Sequence, residues 1–541
     1  MILFELLSKE SAGSRRLIIG AIAISGIANA IMVAVINAAA KTAAYDEMNF
    51  RYMVMFVAAI GLYIVGLKYS FDAITKLFEG MIHKVRVRLI EKISHSELLL
   101  LDHIGKAELF KRINQDTTVI SESQSLLVAS VHSAVMVLCI SVYVLTISVA
   151  AFIITVLLVF GGVTIFLSKK QEVERCMEQT AAIEIDLIGL ANHAIEGLKE
   201  LKLSQERTRE LLVDVVDISK SLENVKVRTM NMYNDMGLFS QSFFYILVAC
   251  IVFFLPWMEE TYSGSVTELV AVILFIIGPL STIVKAIPTF SKANTAMESI
   301  VSLEDAIENF GAQFGELNAV DKEMNFTKKI EIRGLEFHYG NPNGQDFKVG
   351  PIDLEIDKGN IVMIAGGNGS GKTTFLKAMT TLYFPTAGSV HVDGVDIVDK
   401  NVQRYRGLFS AIFTDFHLFG KLYGLGVVPA DTVLTLLELL RLRDKTGYLD
   451  GRFTSLDLST GQRKRLALIV ALLEDRPIMI FDEWAADQDP DFRRYFYETL
   501  LPELRTKGKT VIISTHDDRY FELSDVLIKM ENGLVVDYVK H

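Results

Sequence analysis

The stretch "GGNGSGKTT", Gly366 to Thr374, decides how the C-terminal part of this chain is read. The apolar run Ile361–Ile364 precedes it and a helical pattern follows, so the sequence predicts a buried strand, a glycine loop and a helix in that order. That is the context in which G-x-x-x-x-G-K-[ST] works as a phosphate-binding loop. Gly366, Gly369 and Gly371 let the backbone aim its N–H groups at phosphate oxygens without side-chain obstruction, with Asn368 and Ser370 filling the cradle. Lys372 is placed to reach the β- and γ-phosphates of ATP. Thr373 offers a hydroxyl to Mg2+, and Thr374 completes the loop.

A carboxylate pair supports the same chemistry. In "RPIMIFDEWAADQDP" the run Ile478–Phe481 reads as a second buried strand that delivers Asp482 and Glu483 to its C-terminal end. Asp482 suits the Mg2+ sphere. Glu483, next in line, suits polarising the water that attacks the γ-phosphate.

The first half of the chain reads differently. Half of the 541 residues are hydrophobic, mean hydropathy is +0.34, and the apolar excess lies before about residue 290. Between Ser123 and Ser168 there is no Asp, Glu, Lys or Arg. A charge at a helix centre costs ~2.5–3.5 kcal/mol on insertion scales, so that absence is a membrane signature. The predicted spans are 17–40, 52–71, 124–146, 150–168, 237–257 and 267–288, with a minimal outer turn near Ile147–Ala151. The segment "INAAAKTAA" resembles a signal-peptidase site, but the apolar run before it is longer than the ~7–15 residues of a signal sequence. It is read as a retained first helix.

Orientation follows from the loops. Lys169–Asp235 carries ten Lys or Arg and Lys76–Arg112 carries eight, so these long loops, both termini and the nucleotide domain are expected on the cytoplasmic side of the membrane. Both loops are patterned as helices that continue beyond the bilayer, turning around Gly105 and at Gly197–Ser204. Net charge is −11, which gives no reason to expect a nucleic-acid partner. Cys139, Cys176 and Cys250 have no metal or disulfide spacing and read as isolated thiols.

Four elements then carry a family resemblance. "LSTGQRKR", Leu458–Arg465, resembles the LSGGQ signature of ATP-binding-cassette (ABC) proteins, with Thr460 in place of one glycine. It lies between the P-loop and the Asp-Glu strand end, and "ISTHDD" follows them. The resemblance implies that Ser459, Gly461 and Gln462 bind the γ-phosphate of ATP held by the opposite subunit. It implies His516 as the switch histidine, Tyr339 as the aromatic stacked on adenine, and Asp489 as the aspartate that acts across the dimer. Thr414, in "FSAIFTDFHLF", stands where the family carries a glutamine that touches Mg2+, so the expectation is that Thr414 or Asp415 substitutes or that the contact is looser in this chain.

The implied fold is an all-α six-helix transmembrane domain of the type I exporter (type IV ABC) kind, residues 1–310. A linker, 311–328, joins it to an α/β P-loop ABC domain, 329–541. One cassette's signature completes another's site, so the partner is a second copy of the chain, a homodimer in contact with membrane lipids. Together "EGLKELKLS", "FSAIFTDFHLF" and "FDEWAADQDP" look like the bacterial exporter branch for microcins, syringomycin-type lipopeptides and pyoverdine-type siderophore precursors. The implied cargo is a compact amphipathic peptide. A lipid or lipid-linked glycan flippase and a membrane-anchored ATPase that moves no solute are the alternatives. In the first span Ser25, Asn29 and Asn37 either line a path for the cargo or hydrogen-bond neighbouring helices as packing contacts.

Overall fold

A computed structural model describes residues 15–43, 50–254, 266–311, 324–339, 347–398 and 400–541. Most of the expected linker, and the short connections near residues 41–52 and 258–265, lie largely outside them. The chain forms two compact units that do not follow chain order. One comprises residues 1–89 and 110–302, the other 90–109 and 303–541.

The first unit is helical. Its helices are α1 (Arg15–Ala43), most of α2 (Phe50–His95), α5 (Thr117–Ile147), α6 (Val149–Glu196), α7 (Leu198–Leu203), α8 (Gln205–Ala249) and most of α9 (Val266–Gly311). Among the described residues five helices are long and apolar enough to cross a membrane, and the shorter apolar stretch Val149–Gly161 opens α6. Helix α1 runs unbroken through "INAAAKTA". The turn between α5 and α6 is a single extended residue, Ser148, whose hydroxyl accepts from the Ala151 N–H at 3.2 Å. The second turn also falls where the sequence predicts: Gly197 caps α6, and Ser204 caps α8 by accepting from Arg207 N–H.

Large apolar side chains such as Leu62, Val65, Leu138, Leu157 and Phe160 point outward, an arrangement that suits a lipid solvent and not water. Inside, Val33, Ile140, Val144, Ile251, Leu269 and Ile273 form a shared core. Small residues let the helices approach. A Cβ on Gly66 would lie 3.2 Å from Ser25 Cβ, and one on Gly26 would lie 2.5 Å from Val135 Cγ1. Ser25 is buried and donates to Ile22 O at 2.9 Å. Asn37 is buried and donates to Glu268 O, on α9, at 3.4 Å. Asn37 thus bonds a neighbouring helix, whereas the Ser25 hydroxyl is taken up by its own.

The second unit is the nucleotide domain together with the excursion 90–109, which contains α3 (Leu98–Ile104) and α4 (Lys106–Phe110). Gly105 separates these helices with φ +81, the left-handed region that a glycine adopts without strain. The domain's centre is a six-stranded sheet in the order β12-β11-β3-β10-β9-β6. Here β3 is Ile361–Ala365, β6 Phe409–Ile412, β9 Ile478–Asp482, β10 Thr510–Ser514, β11 Val526–Glu531 and β12 Leu534–Lys540. Strands β3, β9 and β10 are buried at every position and run parallel, as continuous apolar runs do when helices cover both faces. A second, antiparallel sheet is built from β1 (Lys329–His338), β2 (Lys348–Asp357), β4 (Ala387–Val392) and β5 (Val395–Asp396).

Gly26→Val is expected to destabilise the folded protein by about 1–3 kcal/mol through overpacking against Val135. Gly20→Ala, where nothing lies within 4 Å, should leave stability unchanged. Thermal unfolding in detergent micelles compares the two, and equal midpoints would contradict the packing described here.

Candidate functional site

Register does the assembling. Ser514 pairs with Asp482 and with Ile364, so the C-terminal ends of β9, β10 and β3 meet side by side. Each end delivers its chemistry to the same place: the P-loop after β3, Asp482 and Glu483 at the end of β9, and His516 just past β10. Ligands of open parallel sheets bind at such strand ends.

The P-loop turns from β3 into α10 (Lys372–Met379) through Gly369 at φ +78 and Gly371 at φ +99, a conformation that favours glycine. A Cβ on Gly366 would sit 2.4 Å from Met530 O, so no larger residue fits there. Asn368 is exposed and Ser370 buried. The Lys372 ammonium, only 4% exposed, donates to Gly366 O at 2.9 Å and Gly367 O at 3.0 Å, and lies 3.4 Å from Glu483 Oε1. His516 Nε2 is 3.2 Å from that ammonium and 3.0 Å from Glu483 Oε1. One ring nitrogen can accept from the lysine or donate to the carboxylate, not both, so the tautomer selects the contact. Burial pushes the Glu483 carboxyl up, but the His516 hydrogen bond and the Lys372 charge outweigh it and leave the group below its ordinary range. Glu483 also sits at φ +50, a strained conformation for a side-chain-bearing residue.

Thr373 Oγ1 donates to Asp482 Oδ2 at 2.7 Å. Burial raises the Asp482 carboxyl despite the Thr373 hydroxyl, which acts the other way, and the neighbouring Glu483 charge adds to the rise. Its Oδ1 is buried without a hydrogen-bond partner, as is Ser370 Oγ. Buried oxygens left in that state point to a ligand, and a carboxylate beside a hydroxyl is the hard oxygen set that Mg2+ takes. The Tyr339 hydroxyl lies 3.4 Å from Thr374 Oγ1 and its ring stands edge-on to Phe337, beside the P-loop.

The signature forms a different block. Ser459 caps helix α13 (Thr460–Glu474) in a reciprocal capping box with Gln462, so the Gln462 amide is folded back onto its own turn. The helix N-terminus carries partial positive charge suited to a phosphate. A Cβ on Gly461 would come within 2.6 Å of Asp487 O. Asp489 accepts from Phe492 N–H at 2.9 Å and pairs with Arg465; its carboxylate is engaged within its own chain. Thr414 is exposed, and Asp415 faces Lys377 at 3.3 Å.

Sequence reasoning missed Lys464. It is buried, donates to Glu483 O at 2.7 Å and pairs with Asp487 at 2.6 Å. The Trp484 indole N–H in turn donates to Lys464 O at 2.8 Å. The three basic residues Arg463–Arg465 behind the signature and the acid-rich "ADQD" were the available signals, but nothing in linear order paired them.

The ABC transporter family profile matches residues 349–486. Over 548 aligned residues the chain is 33% identical to "ATP-binding protein SyrD" of Pseudomonas syringae pv. syringae, covering 96% of this chain and 93% of that protein. The chain belongs to the ABC transporter family. It is also 23% identical over 490 residues to the ATP-dependent lipid A-core flippase of Pseudomonas aeruginosa, covering 86% of this chain and 78% of that one. The structure of a bacterial Atm1-family ABC exporter with ATP bound superposes with a TM-score of 0.78 at 16% identity, covering 98% of this chain and 96% of that one. The protein is a multi-pass ABC exporter, an ATPase that couples hydrolysis to transport. The expected fold class, helical membrane half and cassette, is the one observed.

Gly461→Ala in this exporter is expected to reduce ATP turnover at least about tenfold by pushing the signature turn off Asp487, while the chain's own P-loop still binds nucleotide. Steady-state ATPase and fluorescent-nucleotide titration separate the two effects. Parallel losses in both would contradict the division into two blocks.

Proposed function

We propose that this exporter moves a compact amphipathic peptide across the bacterial inner membrane by alternating access, the cargo being a cyclic or lasso peptide, a lipopeptide or a siderophore precursor. The observation that carries this reading is the likeness to SyrD, which runs along 96% of the chain at 33% identity, above the 23% and 27% to the lipid A-core flippases. The motifs "EGLKELKLS", "FSAIFTDFHLF" and "FDEWAADQDP" point the same way. A lipid flippase is the second reading, and the flippase relatives favour it.

The working unit is a homodimer, with the six spans in the bilayer and both termini and the cassettes in the cytoplasm. Exposed apolar side chains at the tip of the second long loop, Ile195, Leu198 and Leu203, are the kind of surface a second copy covers. In the dimer Ser459, Gly461 and Gln462 of one chain face the γ-phosphate held by the other. Tyr339 lies against adenine, and Asp489 meets the partner across the interface. Thr373, Asp482 and Thr414 are the residues that would hold Mg2+. When bound, Mg2+ neutralises charge on the β- and γ-phosphates. Lys372 grips the same phosphates, Glu483 takes the proton of the attacking water, and His516 orients Glu483 and senses the γ-phosphate. Closing the cassettes on ATP and releasing them after hydrolysis switches the membrane helices as rigid bodies.

Glu483→Gln keeps the shape of the site but removes the base. It is expected to bind ATP, trap a closed dimer and lower turnover by about 10²-fold or more. Hydrolysis within a few-fold of the parent would remove Glu483 from this role. Cargo class is settled by ATPase assays on proteoliposomes with a cyclic-peptide panel and a lipid panel. Peptides are expected to stimulate; stimulation by lipids alone would overturn the peptide reading in favour of the flippase.

A further inference from the structure

We propose that the ion pair of Lys464 and Asp487 keeps Glu483 in its working position, so that both are positioning residues for hydrolysis in their own chain. All three lie in one compact unit. Glu483 follows the last residue of β9 and sits at φ +50 and ψ 33. A residue with a side chain keeps such left-handed backbone only where its surroundings over-determine it. Here the backbone is pinned on both sides. The Glu483 N–H donates to Ser514 O at 3.0 Å, which fixes it to β10. The Glu483 carbonyl accepts from Lys464 Nζ at 2.7 Å, whereas its own turn offers only the Ala486 N–H at 3.4 Å. The lysine is the strong contact on that carbonyl.

Lys464 also holds the next residue. Its carbonyl accepts from the Trp484 indole N–H at 2.8 Å, and the Trp484 ring is fully buried and stacked on Phe496. Two bonds therefore run in opposite directions between one lysine and the Glu483–Trp484 pair. Relaxing Glu483 to ordinary backbone swings its carbonyl away and breaks the first of them. The same swing carries the carboxylate off His516 Nε2, now at 3.0 Å, and off the Lys372 ammonium, now at 3.4 Å.

The charge at Lys464 has a reason. A charged donor makes a hydrogen bond roughly twice as strong as a neutral one, but a buried ammonium is costly unless it is paired. Lys464 is buried, and the half-exposed Asp487 carboxylate meets it at 2.6 Å. Asp487 thus keeps the ammonium charged and aimed at the Glu483 carbonyl. The contacts described for these two side chains include none to Lys372, Thr373 or Asp482, so losing the pair should affect the chemical step and spare nucleotide binding.

This inference rests on the reading of Glu483 as the base, so the test carries that reading as a control. The full chain in vesicles of phosphatidylethanolamine and phosphatidylglycerol is assayed with MgATP, at steady state and in single turnover. Lys464→Met removes the charge and keeps the apolar stem. It is expected to lower kcat at least about tenfold, with KM and fluorescent-nucleotide affinity within about twofold. Lys464→Gln retains a donor and should recover part of the loss. Asp487→Ala, at a half-exposed position, is expected to lower kcat about threefold with KM unchanged. Because the pair acts through Glu483, adding Lys464→Met to Glu483→Gln should change the residual single-turnover rate by less than about twofold. A role in the fold alone would lower that residual rate too. A kcat within about twofold of the parent in Lys464→Met, or losses that multiply in the Glu483→Gln background, overturns the proposal. If Lys464→Met does not fold, Asp487→Ala decides in the same assays, and an unchanged kcat there overturns it. If Glu483→Gln hydrolyses within a few-fold of the parent, the base reading fails and the pair has nothing to position. A defective Glu483→Gln beside a normal Lys464→Met removes the pair alone.

Discussion

The buried ammonium of Lys372 is the interaction on which the nucleotide site depends. Taking one charge out of water costs several kcal/mol unless it is met by well-placed partners. Here the partners are the carbonyls of Gly366 and Gly367, the Glu483 carboxylate and the His516 ring. They come from three different strand ends, so the charge is satisfied only when β3, β9 and β10 are in register. Once they are, the same register places the Thr373 hydroxyl on Asp482. The fold and the chemistry thus share one condition.

A second block is fastened to the first at Glu483. Lys464 holds the Glu483 carbonyl and Asp487, Trp484 holds the Lys464 carbonyl, and Gln488 Nε2 donates to Gly461 O at 3.1 Å. These bonds join the signature turn to the backbone of the residue that sits in the left-handed conformation. The strain at Glu483 is therefore held in place by helix α13, which carries the signature at its N-terminus. Trp484 is fully buried and stacked on Phe496 with centroids 4.5 Å apart, which makes the join rigid.

The membrane unit answers to a different solvent. Its outward faces are apolar and its inward contacts rely on small residues, because lipid gives helices no hydrophobic reason to associate and only close packing and hydrogen bonds remain. Ser25 and Asn37 are occupied in this way, one by its own helix and one by the start of α9.

Much of this was legible in the amino-acid order because the deciding signals are local. A phosphate loop needs its glycines next to its lysine, a buried parallel strand shows as an unbroken apolar run, and a membrane span shows as a stretch without charge. The turns at Gly105, Ser148 and Gly197 followed from the same patterns. Side-chain partnerships across long separations were not legible: Lys464 with Asp487, Asp489 with Arg465, Asp102 with Tyr383, the Gln462 amide turned back on Ser459. Each residue alone reads as a solvated polar group, since nothing in linear order says which carboxylate faces which cation. The sequence by itself determined the two kinds of solvent, the strand–loop–helix of the phosphate site and the residues able to act there. Only the tertiary structure decided that 90–109 packs with the cassette and which charges are buried together, because the cost of burying a charge is settled by whatever the folded chain brings within about 3 Å of it.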